Sequence, residues 1–158
     1  MTEKYLQSLI DGLNQKITIL DKLTEFTEEQ QRIVGEVSID WDAFDKTIDD
    51  KDELIQKLNV IDEGFQTVYD RVKEDVVSNK DKYKEYILIL KQQVQLVTEK
   101  STSLMALEQR TKAKVSSGFG AQRQQIRTNK ESSKVASSYY NTMNRMNYID
   151  PQLMDWKK

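Results

Sequence analysis

Between positions 54 and 72 the large apolar residues alternate in steps of four and three: Leu54, Leu58, Ile61, Phe65, Val68 and Val72. That spacing draws one greasy stripe along a helix of 3.6 residues per turn. A stripe of this kind is stable only when another surface covers it. The same rhythm occurs twice more. Near the start it runs through Leu6, Ile10, Leu13, Ile17 and Leu20, then shifts by one to Ile19, Leu23, Phe26, Ile33 and Val37, with Gln30 in the gap. The third stripe is Tyr83, Ile87, Leu90, Val94, Val97 and Leu104, with Ser101 as a polar member, continuing through Leu107 and Val115.

Each pattern covers about 35 residues, or about 50 Å at 1.5 Å per residue. Three rods of similar length with short connections pack most simply up-down-up. Heptad-like spacing predicts shallow, coiled-coil-like crossings. The turn-formers agree. The 158 residues include one proline and five glycines, where average usage gives roughly 8 and 11. So few reversals exclude a many-stranded sheet. The expected fold is all-α: an elongated antiparallel three-helix bundle over residues 1–117, followed by a C-terminal extension over 118–158, helical or not.

Local punctuation fits this division. Gly35 and the stretch 37–41 read as the first reversal, with Asp42 and Asp45 resembling a capping box at the start of a helix over 42–77. Asp42, Asp45, Asp49 and Asp50 also suit the positive end of that helix dipole. Gly64 sits beside the second stripe, either admitting a close neighbour or simply tolerated there. Ser78, Asn79, Lys80 and Asp81 supply the next turn. Ser116-Ser117-Gly118-Phe119-Gly120 contains the one closely spaced glycine pair and reads as a hinge.

The chemistry available is narrow. The chain contains neither histidine nor cysteine, which removes thiolate nucleophiles, imidazole acid–base catalysis, disulfides and zinc sites built from those ligands. Asp40-Trp41-Asp42-Ala43-Phe44-Asp45 resembles the opening of a calcium loop, but Phe44, Asp45 and Lys51 stand where an oxygen ligand, a glycine and a glutamate are required. No phosphate-cradling glycine loop or nucleophile elbow occurs. The carboxylates fall mostly on polar helix faces, so no catalytic residue, cofactor or metal is expected. No apolar run approaches the roughly 18 residues needed to span a bilayer, and Met1-Thr2-Glu3-Lys4 opens an amphipathic pattern with no export signal. A cytoplasmic protein without membrane insertion is expected.

The charge is uneven. Residues 1–108 hold 14 Lys/Arg and 23 Asp/Glu, a net −9, whereas residues 109–158 hold 10 and 3, a net +7. The basic stretch Arg110, Lys112, Lys114, Arg123, Arg127, Lys130 and Lys134 could contact phosphates, but the acidic body would repel a polyanion. Beyond it lies a cluster of Tyr139, Tyr140, Met143, Met146, Tyr148, Ile149, Leu153, Met154 and Trp156. Three of the five methionines and three of the seven tyrosines are here. Flexible, polarizable methionine suits a surface that accommodates an apolar partner. The cluster either caps the bundle or binds another protein.

The chain resembles the flagellar export chaperones of the FlgN/FliT type. The resemblance runs through Leu9-Ile10-x-x-Leu13, Lys51-x-x-Leu54-Ile55-x-x-Leu58, Ile87-x-x-Leu90-x-x-x-Val94-x-x-Val97 and Leu107-Glu108-x-Arg110. It continues in Ser133-Lys134-Val135-Ala136-x-x-Tyr139-Tyr140-x-x-Met143 and the terminal Lys157-Lys158. It implies a small, cytoplasmic, non-enzymatic helical protein. Such a protein binds the terminal helices of hook-associated or filament-cap proteins and delivers them to components of the flagellar type III export apparatus. The expected partner-binding residues are Tyr139, Tyr140, Met143, Met146, Tyr148, Ile149, Leu153, Met154 and Trp156, with the adjoining face of the third helix. Two alternatives stand beside it: a self-associating coiled-coil protein, with homodimerisation open, and a nucleic-acid-binding regulator using the basic tail.

Overall fold

A computed structural model describes residues 1–119. They form three helices: α1 Thr2–Val34, α2 Trp41–Ser78 and α3 Lys84–Phe119. No strand occurs among the described residues. The chain runs up, down and up, as the ends of the core record. Leu6, Val76 and Tyr83 share one core cluster, while Ile33, Phe44 and Val115 share another at the opposite end. The central helix is α1. Both α2 and α3 pack along it, whereas the backbones of α2 and α3 stay apart and meet chiefly through long side chains.

Each helix buries a line that alternates by three and four. On α1 the line includes Leu6, Leu9, Leu13, Lys16, Leu20, Leu23, Thr27 and Gln30. On α3, Ile87, Leu90, Val94, Val97, Ser101 and Leu104 are buried as the spacing predicts, and the line continues through Glu108, Thr111 and Val115. The inner line of α2 differs from the apolar stripe in the sequence. Phe44, Ile48, Lys51, Leu54, Ile55, Leu58, Tyr69, Val72 and Val76 are buried, so Leu54, Leu58 and Val72 of the stripe lie inside as expected, while Ile61, Phe65 and Val68 are only partly covered. Two charged residues, Lys51 and Asp62, lie on that inner line, so the apolar spacing alone points about one position to the side. The end of the first stripe is also corrected: Val37 lies in the connection after α1, fully exposed.

The two reversals are built differently. α1 ends at Gly35, whose N–H donates to carbonyls of the last turn with φ at −83°. The cap of α2 is Asp40, not Asp42: its carboxylate accepts from the Ala43 N–H at 3.1 Å. The expected box fails because Ala43, not an acid, stands three residues after the cap. Trp41 to Asp45 therefore belong to a helical turn instead of an ion-binding loop. At the opposite end Asp75 is a hub. It accepts from the Thr2 hydroxyl at 2.7 Å, the Tyr83 hydroxyl at 2.9 Å and the Asn79 amide at 2.8 Å. One carboxylate thus joins the start of α1, the end of α2 and the turn into α3. Gly64 faces open space, with nothing within 4 Å of where a Cβ would lie. It admits no neighbour.

Candidate functional site

The nine aromatic, methionine and aliphatic residues expected to bind a partner, Tyr139 to Trp156, lie outside the described residues, as does the basic stretch from Arg123 onward. Arg110, Lys112 and Lys114 are exposed on the last part of α3. The outward apolar residues of α3 lie elsewhere: Leu88, Ile89 and Leu96 are exposed near its beginning. Leu96 precedes Phe119 by about 35 Å of helix at 1.5 Å per residue. The exposed surface of the last part of α3 is therefore basic and small-chained, with Ala106 and Ala113 among its members. A shallow groove of about 600 Å³ runs between α1 and α2, lined by Gln15, Thr18, Ile19, Lys57, Val60 and Ile61 among others.

Inside the bundle the polar chemistry is structural. Lys51 forms an ion pair with Glu108 and also donates to the Gln30 amide oxygen at 3.0 Å. Both charged side chains are nearly inaccessible, at 5% and 10% exposure. Thr27 lies 2.8 Å from the same carboxylate oxygen and 2.7 Å from the Leu23 carbonyl. Its single hydroxyl proton can serve only one of these acceptors at a time. Burial pushes the Lys51 ammonium below the usual lysine range, and the Glu108 carboxylate opposes that shift. A second cross-helix pair, Lys16 with Asp62 at 2.6 Å, ties α1 to α2.

These groups were hard to read from the sequence because isolated charges normally mark a wet face. A signal was available nonetheless: extending the α3 rhythm beyond Leu104 lands on Glu108, Thr111 and Val115. The arrangement is an acid and a base neutralising one another, with the Thr27 hydroxyl beside them in reach of Glu108 and the Leu23 carbonyl. Among the described residues no group of three or more acidic side chains could hold a metal ion. No helix among them is long and apolar enough to cross a membrane. At the hub, hydrogen bonds from Thr2 and then Tyr83 hold the Asp75 carboxyl below its ordinary range.

The result is an all-helical bundle whose buried polar groups hold the helices together. A family model described as FlgN protein matches residues 1–152. The chain belongs to the FlgN family, a family of flagellar export chaperones. Its members bind flagellar proteins. No match occurs among curated proteins, and none among solved structures.

Proposed function

We propose that this protein is a cytoplasmic chaperone of flagellar type III export. It binds and masks the amphipathic terminal helix of a hook-associated or filament-cap protein before secretion, and then presents that client to the export apparatus. It makes and breaks no covalent bond. The observation that carries this reading is the extent of the family match. It runs past the bundle to residue 152 and takes in Tyr139, Tyr140, Met143, Met146, Tyr148 and Ile149. Most of the segment expected to meet the client thus lies within the matched range, although Leu153, Met154 and Trp156 fall beyond it.

The physics suits the task. Axial flagellar subunits assemble through amphipathic helices, and a helix laid in an apolar surface hides its stripe until release. Adaptable Tyr and Met side chains can cover such a stripe without a rigid preformed pocket. The test is co-elution of the full chain with purified hook-associated and cap proteins on size exclusion, repeated with a chain ending at residue 119. Complex formation that requires residues 120–158 supports both the function and the site. Complex formation by the shortened chain retains the function and moves the site to the bundle. No complex with any axial protein overturns the reading, and a concentration-dependent homodimer in its place favours the coiled-coil alternative.

A further inference from the structure

The inner line of each helix turns polar at the same height. On α1 the buried residues between Leu23 and Ile33 are Thr27 and Gln30. On α2 the buried residue between Ile48 and Leu54 is Lys51. On α3 those between Leu104 and Val115 are Glu108 and Thr111. Lys51 reaches Glu108 and Gln30, and Thr27 reaches Glu108, so the three sets form one connected layer across the bundle. The apolar core is consequently in two pieces. One cluster extends from Leu6 to Leu23 on α1, Leu54 to Val76 on α2 and Tyr83 to Leu104. The other consists of Ile33, Phe44, Ile48 and Val115, edged by the half-buried Val34, Ile39, Trp41 and Ala43.

The two pieces differ in what separation exposes. Among the described residues, parting the helices beyond the layer uncovers four buried apolar side chains, whereas parting the rest uncovers nineteen. It also returns water to an ammonium and a carboxylate that burial had stripped of it, which favours the open form. A contiguous apolar core has no such place to part. Cooperative units of local opening are bounded where buried apolar contact is thin.

We propose that the layer of Thr27, Gln30, Lys51 and Glu108 is a plane of division. The end of the bundle beyond it, residues 31–48 and 109–117, opens as one unit while the larger core stays folded. The opening is a property of the bundle and does not depend on which client the protein carries.

Native-state hydrogen exchange on the full chain tests this. Amides of 31–34, 45–48 and 109–117 should exchange at least about tenfold faster than those of 9–23, 55–72 and 87–101 after correction for intrinsic rates. They should also share one denaturant slope, as a unit does. Equal protection throughout overturns the proposal, and so does protection graded residue by residue, which is the mark of fraying helix ends. Ile48→Ala provides the second measurement. It should accelerate exchange in the end unit by about tenfold and leave 9–23 and 87–101 unchanged; acceleration everywhere means one cooperative core. Replacing the layer with apolar side chains (Gln30→Leu, Lys51→Met, Glu108→Leu) should bring the two rates within about threefold of each other. A ratio that stays at its original value removes the layer as the cause.

Discussion

The buried pair of Lys51 and Glu108 predicts an unusual pattern of stabilities. Lys51→Met alone leaves the Glu108 carboxylate buried with the Thr27 hydroxyl as its hydrogen-bond donor, and an uncompensated buried charge costs about 3–5 kcal/mol. Glu108→Leu alone leaves the Lys51 ammonium buried without its carboxylate, at a similar cost. The double variant removes both charges. Exchanging a buried ion pair for apolar side chains is neutral or stabilising by about 1–4 kcal/mol. Against that, the Gln30 oxygen loses the lysine that donates to it, a penalty of about 1–3 kcal/mol. Thr27 loses little, because its hydroxyl can turn to the Leu23 carbonyl 2.7 Å away.

The double variant should therefore lie within about 3 kcal/mol of the parent on either side, with each single variant well below both. The depressed Lys51 ammonium points the same way, since burial outweighs what Glu108 returns. Urea denaturation followed by far-ultraviolet circular dichroism would supply the four free energies of the cycle. Thermal midpoints provide a check, at about 2–4 °C per kcal/mol for a chain of this size. A coupling energy below about 1 kcal/mol is the signature of a solvent-screened surface pair and would refute the placement of these side chains.

Further substitutions probe other parts of the argument. Gly64→Ala fills open space on a helix and should raise stability by about 0.5–1 kcal/mol in the same urea assay. Ser101 is fully buried, and its hydroxyl has no hydrogen-bond partner among the described residues; Ser101→Ala should stabilise by about 1 kcal/mol, and a loss would mean that the hydroxyl is satisfied. Asp40→Ala removes the side-chain acceptor for the Ala43 N–H and should cost about 0.5–2 kcal/mol, with amide exchange rising first at the start of α2. Asp75→Asn gives a pH test. The folded-state carboxyl lies below its ordinary value of 3.8, so its contribution is complete above that value and lost as pH falls through the folded one. The stability gap between parent and variant should hold at neutral pH and close in acid; a gap independent of pH would show that Asp75 is not held as a carboxylate.

How far the sequence could be read depended on which residues occupied the inner lines. Along α3, from Tyr83 to Leu104, the inner line is apolar apart from Ser101, and spacing located each buried position. Along α2 two members of the line are charged, and a reading that follows greasiness slid sideways onto Ile61, Phe65 and Val68. Lys51 and Asp62 have partners some 57 and 46 positions away, information that no local window contains. The cap at Asp40 was obscured by Asp42, because either aspartate can precede a helix and geometry alone chooses between them. The candidate client-binding segment was legible as composition, from Tyr139 to Trp156. What it packs against is not written in composition, because an apolar cluster meets its own core and a foreign helix by the same force.

The position of α1 at the centre has a consequence for biosynthesis. One flank is covered by α2, which follows at once, and the other by a segment made much later: Gln93 donates to the Ile10 carbonyl, Lys100 pairs with Asp21, and Thr27 meets Glu108, each separated by about eighty residues of chain. While the polypeptide is leaving the ribosome, the first helix has one side bare until the third has emerged. A nascent α1–α2 hairpin would present its uncovered stripe to whatever is nearby. A member of a chaperone family must therefore spend its own synthesis with a helix unshielded.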